Sequence, residues 1–150
     1  MIVSTYCAFA ALLNDGSVLC WGNRNYGGMI PDETQKKLVN VTKMIFSSSA
    51  AFAALLNDCR VVAWGNKYYG GKIPDDIQKK LANVTKMIFA TYYAFAALLN
   101  DGSVLCWGNE GDLPDNIQPQ LHNVKMIIPN AQEFTAVCTN GDTFTWSRFQ

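Results

Sequence analysis

A single histidine, His122, stands among 150 residues, so any site that needs two imidazoles is excluded, including the His-Glu-x-x-His zinc helix and the Cys2His2 finger. Hydrolytic chemistry also loses its commonest base. Charge is sparse, at 16% of residues, and twelve basic side chains balance twelve acidic ones. That balance excludes a solvated, disordered chain and offers no basic body to draw in nucleic acid. No apolar run approaches the ~20 residues of a bilayer-crossing helix, so neither a membrane span nor a membrane partner is expected. No phosphate-cradling glycine loop and no Gly-x-Ser-x-Gly elbow is present, and no two carboxylates are set as an acid and base pair. A non-enzymatic protein without cofactor or metal is therefore expected.

The cysteines, Cys7, Cys20, Cys59, Cys106 and Cys138, are five, and an odd number does not make a complete disulfide framework. Met1 to Leu13 is apolar enough to suggest a secretory signal, but no basic residue precedes its apolar stretch, and its AFAALL recurs deeper in the chain. It reads as a repeat unit. Free thiols in a reducing, cytoplasmic setting are the expectation. Asn40-Val41-Thr42 and Asn83-Val84-Thr85 match the glycosylation acceptor pattern and are read as chance without a signal.

What is there is repetition. AFAALLNDGSVLCWGN occupies residues 8–23 and recurs unchanged at 94–109, with AFAALLNDCRVVAWGN at 51–66 between them and a diverged EFTAVCTNGDTFTWSR at 133–148. Each copy follows a Met-Ile at the same distance. The chain is thus one domain, 1–150, of four units at 1–23, 44–66, 87–109 and 126–148, joined by three connecting segments. Within a unit, Ala8 to Leu13 is apolar on both alternating faces, as in a strand covered from two sides. Asp15-Gly16, Asp101-Gly102 and Asn140-Gly141 supply a tight turn, and Val18 to Trp21 returns as the second strand of a hairpin. Cys59 takes the glycine position in the second unit, at a cost of about 1 kcal/mol.

In the connecting segments, Asp32 with Gln35, Asp75 with Gln78, and Asp115 with Gln118 have the spacing of a capping box and predict three short helices. Leu38, Leu81 and Leu121 are expected to dock them on the sheets, with Ile77 and Ile117 four residues upstream. The third connection is shorter and lacks Tyr-Gly-Gly.

The run Asn-Asp-Gly-Ser-Val, then Cys-Trp-Gly-Asn, then a Gly-Gly step resembles the regulator of chromosome condensation (RCC1-like) repeat. The resemblance covers Asp15-Gly16 with Trp21-Gly22, Asp58 with Trp64-Gly65, and Asp101-Gly102 with Trp107-Gly108; the fourth unit keeps Asn140-Gly141 and Trp146 but has Ser147 for glycine. The family's usual glycine and histidine ahead of the apolar strand are replaced by Tyr6-Cys7, Ala50 and Tyr92-Tyr93. This marks a divergent, short member. The resemblance implies a mainly β fold of β-hairpin units with short linker helices, in a partial or small propeller. With four units in place of the family's seven blades, an open arc, a small ring and half of a ring completed by a second chain are all compatible. A WD40 blade, with a similar period, lacks its Gly-His and Trp-Asp signatures here.

Trp21, Trp64, Trp107 and Trp146 stand at equivalent positions and are read as packing between units. Cys20 and Cys106 alternate with Ala63 and read as small core residues, leaving Cys59 as the thiol to test for reactivity. A cysteine nucleophile would have only His122 as partner. The candidate partner-binding set is Tyr26, Gly27, Gly28, Tyr68, Tyr69, Gly70 and Gly71 in the loops, with Tyr92 and Tyr93, because tyrosines beside Gly-Gly loops suit protein contact. Lys36, Lys37, Lys79 and Lys80 are added as a helix ridge for an acidic partner, against the plainer reading of a solvated face.

The expected function is a repeat scaffold that binds another protein through these loops. The resemblance implies one alternative, a guanine nucleotide exchange regulator of a small GTPase, although no connection is long enough to supply that family's projecting wedge. A self-assembly module, dimerising through its ends, is another, since open arcs leave exposed strand edges. The near-identical copies suggest recent duplication, as in effectors that pathogens deliver into host cytoplasm.

Overall fold

A computed structural model describes residues 1–39, 41–82, 85–109 and 113–147. Asn40 and Asn83, the two glycosylation candidates, lie outside the described residues. The Met-Ile segment that precedes each hairpin is itself a strand, so each unit is a three-stranded antiparallel sheet rather than a hairpin. The first unit holds β1 (Ile2–Ser4), β2 (Ala8–Leu12) and β3 (Val18–Gly22), and the second β4 (Thr42–Ser47), β5 (Ala51–Leu56) and β6 (Val61–Gly65). The third holds β7 (Thr85–Ala90), β8 (Ala94–Leu99) and β9 (Val104–Gly108), and the fourth β10 (Val124–Pro129), β11 (Glu133–Cys138) and β12 (Thr143–Ser147). The middle strand is always the AFAALL segment or its equivalent.

The first strands lie side by side, β1 against β4, β4 against β7, and β7 against β10. Three of them carry a bulge between Thr42 and Met44, Thr85 and Met87, and Val124 and Met126, so that Lys43, Lys86 and Lys125 fall out of register and stay exposed. The bulge lets an apolar strand start with a solvated cation.

The core is between units, not within them. One apolar cluster joins Ala8, Ala10, Val18 and Leu38 to Ile45, Phe52, Ala54, Leu56 and Trp64. A second repeats the pattern between units two and three, and a third between units three and four. Every inner unit therefore has a leading face of Phe, Ala, Leu and Trp turned to the unit before it, and a trailing face of alanines, a leucine and a valine turned to the unit after. This alternation explains why AFAALL is apolar on both sides, and why each unit depends on its neighbours. The two ends of the chain do not cover each other: Phe9, Leu19 and Trp21 of the first unit and Thr143 and Thr145 of the fourth are exposed. The arrangement is an open arc of four blades.

Two helices form, α1 (Asp32–Leu38) and α2 (Asp75–Leu81), and Leu38 and Leu81 are fully buried. The capping box does not. Each helix begins one residue early, with Pro31 or Pro74 at the cap and no side-chain cap bond, because proline's fixed φ suits a helix start. The glutamine is freed to reach sideways: Gln78 donates to the Val61 carbonyl at 3.0 Å and Gln35 to that of Val18 at 3.5 Å. Thr42 and Thr85 donate to the last helical carbonyls, Leu38 at 3.2 Å and Leu81 at 3.1 Å. In the third connection Val124 replaces that threonine and Pro119 removes a donor, and only a 3-10 turn, Gln118–Gln120, forms where a helix is predicted. Leu121 is still buried at its end.

Candidate functional site

Three features, all present in the first two units, converge on one face of the arc. The corner between the first and middle strands is the first, at Thr5 to Cys7, Ser48 to Ala50 and Tyr92 to Tyr93. Successive corners are laced by backbone bonds, Tyr6 N–H to the Ser49 carbonyl, Ser49 to Tyr92 and Tyr92 to Ala131, each at 2.9 Å. The second feature is the turn after Trp-Gly-Asn: Asn23 and Asn66 accept from the backbone N–H of Asn25 and Tyr68 and so start the 3-10 turns Arg24–Tyr26 and Lys67–Tyr69. The third is a hydroxyl that ties the two together, with Thr5 donating to the Tyr26 carbonyl at 2.8 Å and Ser48 to that of Tyr69 at 2.7 Å. Corner and turn are thus held as one rigid edge.

Between these edges lies a groove of about 590 Å³ lined by Tyr6, Asn25, Tyr26, Ser49, Asn66, Tyr69 and Tyr93. Tyr69 stacks on Tyr93 with ring centroids 6.2 Å apart, and Tyr6 meets the edge of Tyr92 at 6.3 Å. Phenol rings with amide and hydroxyl groups between them present flat apolar area and hydrogen-bonding capacity together, at little cost in side-chain freedom. Among the described residues no charged side chain lines this groove.

Of the candidate binding residues, the structure brings Tyr26, Tyr69 and Tyr93 together and adds Tyr6, Asn25, Ser49 and Asn66, which the sequence reading left out. Their signal was there: Tyr6 is the repeat equivalent of Tyr92. Tyr68 points away, exposed, with the Lys67 ammonium 5.1 Å above its ring. Lys36, Lys37, Lys79 and Lys80 are exposed on the helices and do not line the groove. Gly27 and Gly70 are a correction. Both are buried between units, with positive φ, and a Cβ on Gly70 would meet the Phe95 ring at 2.4 Å. Their carbonyls accept from Trp64 and Trp107 at 3.2 and 3.1 Å, so these loops lock blade to blade. Gly28 and Gly71 pack as tightly, on the backbone of Gly22 and Gly65.

Each tryptophan pairs across its hairpin with a phenylalanine. Phe52 with Trp64 and Phe95 with Trp107 lie 5.5 Å apart, and Phe9 with Trp21 and Phe134 with Trp146 5.6 Å. The Trp146 indole N–H has no acceptor among the described residues; Glu110 to Asp112, which follow Trp-Gly-Asn in the third connection, lie outside them.

Two of the thiols, Cys20 and Cys138, are poor nucleophiles. Burial pushes Cys20 up to about 11, and burial together with the Asp142 carboxylate raises Cys138. Cys138 shares a small cleft with His122, Asn140 and Asp142, but a raised thiol is not activated. Among the described residues no group of three metal-ligating side chains comes together.

No protein-family model matches the sequence, and no curated protein matches it. Solved structures do. Prp20p of Saccharomyces cerevisiae superposes with a TM-score of 0.67 at 16% identity over 97% of this chain and 43% of its own. Human WBSCR16 gives 0.64 at 18% identity, over 98% of this chain and 47% of its own. The ectodomain of the Physcomitrella patens receptor kinase CR4 gives 0.64 at 17%, over 97% and 38%. Yeast RCC1 (Prp20) bound to Kap60 is similar again, at 0.65. The fold is that of an RCC1-like β-propeller. The chain spans less than half the length of these propellers. Its RCC1-like blades have three strands, and a helix in two of the connections packs on the third strand of the following blade, α1 on β6 and α2 on β9.

Proposed function

We propose that the chain is a protein-binding scaffold whose contact site is the tyrosine-lined groove. The observation that carries this reading is the convergence of Tyr6, Tyr26, Tyr69 and Tyr93 from three different blades onto one rigid edge. None of these rings is fully buried, and the hydroxyl and backbone bonds beneath them are already satisfied within the blades. The groove's lack of charge favours a neutral, apolar-polar peptide segment over an acidic one. A reducing cytoplasm goes with this reading, supported by the thiols of Cys7, Cys20, Cys59 and Cys138 standing outside any disulfide.

The test compares partners captured by the tagged chain with those captured by a Tyr26→Ala, Tyr69→Ala variant whose circular dichroism is unchanged. Selective loss of a partner in the variant supports the groove. An identical partner set in both contradicts it.

A second reading, a regulator of a small GTPase, is favoured by the likeness to Prp20p, whose structure was reported with its binding properties to Gsp1p and histones. Against it, the described connecting segments lie on the next blade and none projects as a wedge. Faster release of labelled nucleotide from a Gsp1p-type GTPase would establish this reading, and unchanged release would remove it.

A further inference from the structure

The first blade has a finished leading face that no other described residue covers. Phe9 is 45% exposed, Trp21 46% and Ile2 66%, while their repeat equivalents Phe95, Trp107 and Ile88 are 1% exposed or less; Leu19 is 57% exposed, where its equivalent Leu105 is half-buried against the neighbouring blade. The sequence of this face is not that of a cap: residues 8–23 match residues 94–109 without a difference, and the latter are covered by a neighbouring blade. No charged side chain occurs in β1, β2 or β3.

The other end is built differently. The trailing face of the fourth blade carries Glu133, Thr135, Thr143 and Thr145 where the inner blades carry alanine, valine or cysteine, keeps one apolar residue, Val137, at the leucine position, and has the Thr135 and Thr145 hydroxyls bonded to each other at 2.9 Å. A polar face of this kind ends a stack and does not complement an apolar one. Head-to-tail assembly is thereby disfavoured, since it would set threonine and glutamate against phenylalanine and tryptophan. The apolar trailing faces of blades one to three are already occupied within the chain. Of the two described end faces of a second copy, the apolar one, able to pack on the first blade's leading face, is that same face.

We propose that two copies of the chain pack head to head through the leading faces of their first blades. The contact is isologous, with Phe9, Leu19 and Trp21 of each copy buried against those of the other, and a two-fold contact of this kind closes at two. It is independent of the tyrosine groove.

Sedimentation equilibrium over a dilution series tests the proposal. The mass should rise from 16.6 kDa to twice that and no further. Leu19→Lys, at an exposed position, should raise the dissociation constant by at least about tenfold, whereas Thr143→Lys at the far end and Tyr69→Ala in the groove should leave it unchanged. As a second measurement on the unaltered chain, iodide quenching of the Trp21 signal, read as the difference from Trp21→Phe, should fall as the dimer forms. A monomer at every concentration, assembly that grows past the dimer, or a dimer lost with Thr143→Lys and kept with Leu19→Lys would each overturn the proposal.

Discussion

Residues 8–23 and residues 94–109 are the same sixteen amino acids. Both form the same hairpin, with Phe9 opposite Trp21 and Phe95 opposite Trp107, and both turn through Asp-Gly held by a serine. The middle strand of the later copy is buried at every position, while the earlier one is buried only on alternate residues. Local sequence fixes the hairpin and its register; burial is supplied by the neighbouring blade. Trp107 also gains the Gly70 carbonyl, a partner that Trp21 lacks. Stability in this molecule is therefore a property of the junctions, as expected of a repeat array.

The comparison breaks most sharply when the same substitution is made in both copies. Phe95→Ala should cost about 3–5 kcal/mol in urea unfolding, and Phe9→Ala about 1 kcal/mol or less in the monomer, because nearly half of that ring is already in water. Next in size is Gly70→Ala, which should cost about 2–4 kcal/mol from the clash with Phe95 added to a left-handed backbone at φ 97°. Gly141→Ala separates the two terms, since a Cβ there meets nothing within 4 Å and only the backbone cost of about 1–2 kcal/mol remains.

Cys59→Gly should act in the opposite direction. Cys59 sits at φ 71° in the turn where the other units have glycine, and relieving it should stabilise the chain by about 1 kcal/mol. The smallest effect concerns pH. The Asp15 and Asp101 carboxyls are held below their usual value of 3.8 by bonds from the Ser17 and Ser103 hydroxyls and backbone. Their stabilisation is present above the unfolded value and is lost as pH falls through the folded one, so the two turns should weaken only below pH 3.8. Ser17→Ala with Ser103→Ala should flatten that acid limb of the thermal midpoint, and by little, because both carboxylates are fully exposed.

Much of this was legible in the residues. The period marks the blades, the two-sided apolar strand marks a sheet covered on both faces, and Asp-Gly marks the turn. The Met-Ile strand is too short and too apolar to show a period, and its pairing with the middle strand is set by the bulge at Lys43, Lys86 and Lys125 rather than by alternation. The capping box failed because proline starts the helix one residue sooner. The glycines of Tyr-Gly-Gly looked like a free loop, yet their partners, Phe52 and Phe95, come from the next blade, beyond the reach of local patterns. The groove depends on corners 43 residues apart, Tyr6, Ser49 and Tyr92, laced edge to edge, and only the repeat equivalence of Tyr6 and Tyr92 hints at it.

Hydrogen exchange of the two identical segments tests most directly whether the junctions, not the hairpins, hold the fold. Their intrinsic exchange rates are matched by sequence, and peptides that extend into Tyr6-Cys7 or Tyr92-Tyr93 tell them apart. At dilutions where the chain is monomeric, residues 8–23 should exchange at least about tenfold faster than residues 94–109. Equal protection of the two segments would contradict the account.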